Sequence, residues 1–297
     1  MKLVRYGLPH QEKPGILDSD GRIRDLSGTV PDITGETLLP ATLALLKNID
    51  LATLPVVPGN SPDRPRLGPC VGRVGKLIGI GLNYSDHAAE AGMKVPSEPV
   101  IFMKATSSIC GPNDDIVIPR GGTKMDWEIE LGVVIGLPAK YVSQADAMSY
   151  VAGYCVINDI SERAFQLEGT GQWVKGKSAD TFGPIGPWLV TADEVLDPQN
   201  LNVWLEVDGH TYQKGSTRTM IFGVGQLVSY VSRFMSLQPG DIISTGTPAG
   251  VGMGQRPPVY LRAGNRMRLG IDGLGEQDQR VVAADLAALG EHDGTHQ

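Results

Sequence analysis

The sequence predicts an α+β, β-rich fold for this chain of 297 residues. Glycine (38 residues) and proline (21 residues) are frequent, which is typical of a chain with many turns. Short segments rich in β-branched residues outnumber segments with helical periodicity. Strands and helices do not alternate regularly, which disfavours a doubly wound parallel sheet.

Composition and charge argue against several classes of protein. With 41% hydrophobic and 20% charged residues, the chain has an ordinary globular composition. The net charge of −7 argues against nucleic acid or an anionic membrane as a partner. No apolar stretch approaches the ~20 residues of a membrane span, and the N-terminus lacks the apolar core of a signal peptide. Cys70, Cys110 and Cys155 form no CxxC pair, so we expect a soluble cytoplasmic protein.

Residues 1–72 are predicted to form a small N-terminal α/β domain with its linker, and residues 73–297 a larger β-rich domain. The first part contains a strand in "LVRYG", a hairpin around Ser19-Asp20-Gly21 and a helix in "PATLALLKNID". Residues 57–69 are rich in proline, glycine and charge, which is typical of a linker.

The larger part contains most of the predicted strands. They lie in "GKLIGIGLNY", "EPVIFMKA", "DIVIP", "DWEIELGVVIG" and "GYCVIND". A short helix in "SQADAMSYVAG" is expected with Ser143 as its N-cap. Asp208-Gly209 and the segment "MRLGIDGLGEQDQRVV" predict two hairpins. The helical spacing of Val224, Leu227, Val228, Val231 and Met235 predicts a second helix.

Acidic side chains lie within a strand that is otherwise apolar. Asp126, Glu128 and Glu130 alternate with apolar residues, so in a strand they would share one face. Asp159 ends a second apolar strand, and acids at the ends of adjacent strands can converge on one ion. Oxygen donors without cysteine or histidine suit Mg²⁺ first, then Mn²⁺ or Ca²⁺. The alternative is that both glutamates line a solvated sheet face while Asp159 caps a helix.

Six motifs then occur in the order seen in the fumarylacetoacetate hydrolase family. They are "IGLNYSDHAAEAG", "IFMKATSSICGP", "DWEIELGVVIG", "YCVINDISERAFQ", "WVKGKSADTFGPIGPWLV" and "LQPGDIISTGTPAGVG". Together they make the chain resemble that family over roughly residues 70–290. The resemblance implies a mixed β-roll catalytic domain, usually dimeric, with a divalent ion held by two glutamates and an aspartate.

The resemblance also implies roles for individual side chains. The metal ligands would be Glu128, Glu130 and Asp159; the active-site lysine Lys177; the water-activating lid dyad His87 and Glu90; and the substrate contacts Arg163, Gln166 and Thr247. Asp126 matches no ligand position, so we expect it to pair with Lys124 or Arg163. Leu82 stands where many acylpyruvases and oxaloacetate decarboxylases have arginine. "GLNY" resembles the branch that acts on 2,4-diketo-3-deoxy sugar acids, such as the rhamnonate derivative.

The activity implied by the resemblance is Mg²⁺-dependent hydrolysis of a C–C bond in a 2,4-diketo acid. The products would be pyruvate and a small carboxylic acid, and the enzyme would be a homodimer or higher homo-oligomer. Alternatives within the family are an oxaloacetate decarboxylase, a dienoate hydratase or isomerase, and a ureidoglycolate lyase. An alternative of another class is a non-catalytic member with a structural ion. The presence of His87, Glu90 and Lys177 argues against that alternative, since a structural ion needs none of them.

Overall fold

In a computed structural model of the protein, residues 1–59, 65–86 and 95–284 are described. The strands are β1 (Lys2–Tyr6), β2 (Lys13–Leu17), β3 (Ile23–Asp25), β4 (Leu77–Gly81), β5 (Val100–Lys104), β6 (Ile109–Cys110), β7 (Ile116–Ile118), β8 (Met125–Asp126), β9 (Ile129–Ile135), β10 (Val151–Asn158), β11 (Ser161–Glu162), β12 (Gly183–Thr191), β13 (Asn202–Val207), β14 (His210–Ser216), β15 (Ile242–Ser244), β16 (Arg266–Ile271) and β17 (Gly275–Ala283). The α-helices are α1 (Pro40–Lys47), α2 (Arg163–Leu167), α3 (Val174–Lys177) and α4 (Val224–Phe234). The predicted α+β, β-rich fold is confirmed.

The largest sheet joins the N-terminal strands to the strands that carry the acids. Its order is β3-β2-β1-β12-β10-β9-β15-β4-β5, with β6 paired to β12. β1 runs antiparallel to β12, with Lys2 opposite Val190. The predicted domain boundary between residues 72 and 73 stays a prediction. None of the described helices is long and apolar enough to cross a membrane.

A second sheet packs against the first through a shared core. Its order is β14-β13-β16-β17-β7, and in the described part of the chain neither order closes into a barrel. Buried side chains of both sheets and of α4 form one apolar cluster, which includes Val133, Tyr154, Leu205, Leu227 and Leu269. The predicted hairpin at Asp208-Gly209 is confirmed. Both residues have positive φ (51° and 79°), as a two-residue type I′ turn requires.

Two local predictions were wrong because tertiary pairing overrides the local pattern. The acidic strand is interrupted: β8 ends at Asp126, β9 begins at Ile129, and the carbonyl of Glu128 accepts from the Asp159 amide at 2.8 Å. The helix expected after Ser143 is only a 3₁₀ turn at Ala147–Tyr150. It stops there because the next residues enter β10, which pairs with β9.

Candidate metal and substrate site

The sheet brings the three predicted metal ligands together. Glu130 lies on β9 opposite Ile157 of β10, Glu128 directly precedes β9, and Asp159 directly follows β10. One carboxylate oxygen of each acid lies within 4.8 Å of the others. All three side chains are buried, so the alternative of a solvated sheet face does not hold. Their role as metal ligands stays a prediction.

Two buried lysines neutralise part of this acid cluster, which we define as Asp126, Glu128, Glu130 and Asp159. The ammonium of Lys177 donates to Glu128 Oε2 and to Asp159 Oδ2, both at 2.6 Å. Lys104, also buried, donates to Asp159 Oδ1 and to the carbonyl of Ile160. Asp159 therefore faces two cations.

Arg163 holds the other end of the cluster. Its Nε donates to Asp126 Oδ2 at 2.8 Å and its Nη2 to Glu128 Oε1 at 2.6 Å. Its Nη1 donates to Gln166 Oε1 at 2.9 Å. Asp126 also accepts from the backbone amide of Gly252 at 2.6 Å. The predicted pairing of Asp126 with Arg163 is thus the one that forms, and it ties the strand to the loop that follows β15.

Glu130 differs from its neighbours because the described residues give it no ion pair. Its Oε2 accepts from Ser244 Oγ at 2.6 Å and from the Gly246 amide at 2.8 Å. Burial, and then repulsion from Asp159 and Glu128, raises the pKa of Glu130 well above its ordinary value. Fully ionised, the four carboxylates of the described cluster would exceed its three cations by one negative charge. A bound cation would offset this charge, and the oxygen donors suit a hard divalent ion.

The two lysines respond differently to the same surroundings. Burial lowers the pKa of Lys104 below its ordinary value, because the attraction of Asp159 offsets only part of the cost of burying the charge. Burial also works against the Lys177 ammonium, but the attraction of Asp159 and Glu128 outweighs it, and the pKa of Lys177 is raised. Lys177 therefore stays charged beside the carboxylates.

A cavity of about 130 Å³ opens next to the cluster. Its polar lining is formed by Glu128, Glu130, Arg163, Gln166, Lys177 and Thr247, and its apolar lining by Ile80, Leu82, Phe102, Leu167, Trp173 and Met253. The structure thus brings together the predicted substrate contacts Arg163, Gln166 and Thr247. The Thr247 hydroxyl donates to the carbonyl of Ile129 at 2.8 Å. The predicted dyad His87 and Glu90 lies outside the described residues.

Sequence reasoning missed Lys104 and Ser244. Lys104 ends the apolar strand β5, and Ser244 ends the apolar strand β15. Ser244 closes an apolar run on a fully buried strand and needs a polar partner inside the protein, and this need is the signal by which it could have been found. Lys104 ends a half-buried strand, so its position in the sequence gives no such signal.

Comparisons with known proteins cover nearly the whole chain. The family model described as fumarylacetoacetate (FAA) hydrolase C-terminal matches residues 76–282. A Burkholderia multivorans protein with a provisional hydrolase name is 68% identical over 285 residues, spanning 96% of this chain and 100% of the relative. The structure of 5-carboxymethyl-2-hydroxymuconate delta-isomerase from Mycobacterium smegmatis matches with a TM-score of 0.74 and 32% identity over 96% of this chain and 99% of that one. Maleylpyruvate hydrolase from Sphingobium sp. SYK-6, solved with manganese(II) and pyruvate, matches with a TM-score of 0.79 and 29% identity over 96% of this chain and 100% of that one.

Proposed function

Because the chain belongs to the fumarylacetoacetate (FAA) hydrolase family, we propose that it is a divalent-metal-dependent hydrolase of 2,4-diketo acids. It cleaves the C–C bond between the diketo acid's pyruvate unit and its distal acyl group, and it releases pyruvate and a small carboxylic acid. Mg²⁺ is the proposed ion, with Mn²⁺ or Ca²⁺ as alternatives. The observation that carries the proposal is the buried acid cluster with one negative charge left over, beside a small cavity.

The donor set fits a hard divalent ion. Glu128, Glu130 and Asp159 would hold it, and further coordination positions would remain for substrate and water. When bound, the ion supplies positive charge next to the oxygens of the keto acid. The Sphingobium maleylpyruvate hydrolase, solved with manganese(II) and pyruvate, supports this proposal.

The charge of the cluster suits a keto acid with a single carboxylate. In the described part of the chain, four ionised carboxylates and three cations leave one negative charge, and a divalent ion would convert that into one positive charge. A substrate that carries one carboxylate then neutralises the site. Charge balance matters because a buried, unpaired charge is costly.

Side chains of the protein would transfer the protons and stabilise the developing negative charge. By resemblance, His87 takes a proton from water while Glu90 orients its imidazole. The resulting hydroxide adds to the distal carbonyl carbon, the C–C bond breaks, and its electron pair passes to the enolate of pyruvate. The Lys177 ammonium, held by Glu128 and Asp159, supplies positive charge where the enolate forms. Return of the proton to the enolate carbon gives pyruvate.

The sequence supports the proposed substrate, oligomeric state and cellular location. "GLNY" supports 2,4-diketo-3-deoxy-L-rhamnonate as the substrate, and the family resemblance supports a homodimer or higher homo-oligomer. Composition supports a cytoplasmic location. The cavity beside the cluster speaks against a purely structural ion, since a structural site needs no adjoining space.

An isomerase or hydratase of dienoate acids is the second candidate, because the Mycobacterium smegmatis isomerase shares the fold over nearly the whole chain. His87→Ala separates the two functions. Hydrolysis should fall by about 100-fold or more without the water-activating base, whereas proton transfer within a dienoate could continue. Calorimetric Mg²⁺ binding by the variant should match the wild type.

The test of the main proposal is pyruvate release from a panel of 2,4-diketo acids in the presence of Mg²⁺. Glu128→Ala should lower kcat/KM by about 1000-fold or more, because it removes a ligand together with the carboxylate that orients Lys177 and Arg163. Excess EDTA should abolish activity, and Mg²⁺ or Mn²⁺ should restore it. Full turnover in EDTA would refute the proposal, as would the absence of pyruvate from every substrate.

A further inference from the structure

We propose that the cavity selects diketo acids whose distal substituent is short and uncharged, and rejects those with a second carboxylate at that end. The inference rests on the proposed function and narrows its substrate class. It comes from the apolar residues that line the cavity next to the acid cluster.

An aromatic wall, which we define as Phe102 and Trp173, forms part of the lining of the cavity, and the Lys177 Nζ lies 5.0 Å from the centroid of the Phe102 ring. The two ring centroids lie 5.5 Å apart with planes at 60°, an edge-to-face arrangement. Phe102 lies directly opposite Gly79 in the pairing of β4 with β5. A Cβ at Gly79 would lie 2.2 Å from the Phe102 ring, and a Cβ at Gly81 would lie 2.5 Å from the Trp173 ring. The wall can form only because β4 has glycine at both positions.

The remaining apolar lining extends the wall with aliphatic side chains. Leu82, Leu167 and Met253 complete this side of the cavity. Leu82 has a positive φ of 55°, an uncommon conformation for a bulky residue and one that costs energy. The backbone therefore places the apolar side chain of Leu82 here despite an unfavourable conformational energy.

The cations that line the cavity are already paired. Among the described lining residues, Arg163 bonds to Asp126 and Glu128, and Lys177 bonds to Glu128 and Asp159. Against the apolar lining, a second substrate carboxylate would lose its hydration without gaining a partner among the described residues. It would also leave the loaded site with a net negative charge.

The volume of the cavity suits a short substituent. The cavity of about 130 Å³ is slightly smaller than the engineered cavity of about 150 Å³ that binds benzene. A compact keto acid with a short distal chain matches this space. The rhamnonate derivative has a distal 1-hydroxyethyl group, which is short, uncharged and ends in a methyl group.

Two nearly isosteric substrates test the inference in the Mg²⁺-loaded enzyme. Butanoylpyruvate ends in a methyl group and succinylpyruvate has a carboxylate in its place. We expect kcat/KM for butanoylpyruvate to be higher by about 100-fold, because only succinylpyruvate must bury an unpaired charge. Comparable values for the two substrates, or a preference for succinylpyruvate, would overturn the inference.

A matched pair of variants locates the selection in the cavity. Leu167 lines the cavity and is 45% exposed, whereas Val174 is 43% exposed and does not line it, so arginine should be tolerated at either position. Leu167→Arg should raise kcat/KM for succinylpyruvate by about tenfold, since a new cation can pair with the carboxylate. Val174→Arg should leave it unchanged. No gain in Leu167→Arg, or equal gains in the two variants, would contradict the inference.

Failure of the proposed function gives a different result from failure of the inference. If neither substrate yields pyruvate, the hydrolase proposal falls. Calorimetric binding of the two compounds to the Mg²⁺-loaded protein then still decides the preference. Tighter binding of butanoylpyruvate supports the selection, and equal or weaker binding overturns it.

Discussion

Two clusters of charged side chains line cavities of this protein, and they differ in exposure and in charge balance. The N-terminal cleft, about 610 Å³, is lined by three arginines and three acids: Arg5, Arg66 and Arg73 with Glu12, Asp32 and Asp114. Its ion pairs are partly exposed, with 11% of the Arg5 side chain and 25% of the Arg66 side chain accessible. The acid cluster adjoins a cavity of only about 130 Å³ and is almost fully buried.

The difference lies in charge balance rather than in volume. In the N-terminal cleft arginines and acids are equal in number, and Arg5 and Arg66 are each bonded to acids. Among the described residues, the acid cluster has one carboxylate more than it has cations, and burial makes full ionisation of the cluster costly. A buried cluster with surplus negative charge needs a bound cation to balance it. The smaller cavity is therefore the candidate site.

The largest expected effect is on Mg²⁺ affinity. The accompanying changes in stability should have opposite signs in the two clusters. Glu130→Gln removes the surplus charge, so Mg²⁺ affinity should fall by at least about 100-fold. In EDTA the free energy of unfolding should rise by about 1 kcal/mol, because a buried, unpaired charge is gone. Calorimetry and urea unfolding measure the two quantities. The matched variant Asp32→Asn, in the N-terminal cleft, should lower stability without changing Mg²⁺ affinity.

The next prediction concerns Lys104, whose replacement should change stability in the absence of metal. Lys104→Met leaves Asp159 with one cation fewer in a fully buried site, so stability in EDTA should fall by about 3 kcal/mol. Saturating Mg²⁺ should recover part of this loss, since an ion can replace the missing positive charge. Urea unfolding with and without Mg²⁺ provides the measurement. An unchanged unfolding midpoint in EDTA would show that the Lys104–Asp159 pair does not balance the cluster.

The smallest effect should come from the N-terminal cleft. Arg66→Met breaks partly exposed pairs with Glu12 and Asp114, so stability should fall by only about 1 kcal/mol. Salt should reduce this difference further by screening the pairs. The kcat/KM for diketo acids should stay at the wild-type value. A loss of activity would mean that the cleft and the acid cluster are coupled.

Much of the fold was predictable because local patterns and tertiary pairing agree. The strands β4, β5 and β10 follow from their β-branched content, and the hairpin at Asp208-Gly209 follows from its turn residues. The strand break at Trp127-Glu128 was not predictable, since it depends on a backbone contact with Asp159 that lies far along the chain. Strand alternation cannot reveal such a contact.

The residue pattern predicted the acids of the site but not its two lysines. Glu128, Glu130 and Asp159 stand out because acids within apolar strands need an explanation. Lys104 gives no such warning, since a lysine at a strand end is ordinarily exposed. The family resemblance supplied Lys177, and only the three-dimensional arrangement shows that the two lysines share Asp159.

The pairing of β1 with β12 constrains how this protein could be rebuilt. β12 lies between β1 and β10, so the N-terminal strands cover an edge that would otherwise expose unpaired backbone groups. Cutting the chain after residue 72 would turn β12 into an open edge, ready to add a strand from another molecule. An exchange of the first residues between relatives would have to keep Lys2 opposite Val190. The N-terminal strands thus belong to the same sheet as β10, the strand that leads directly into Asp159.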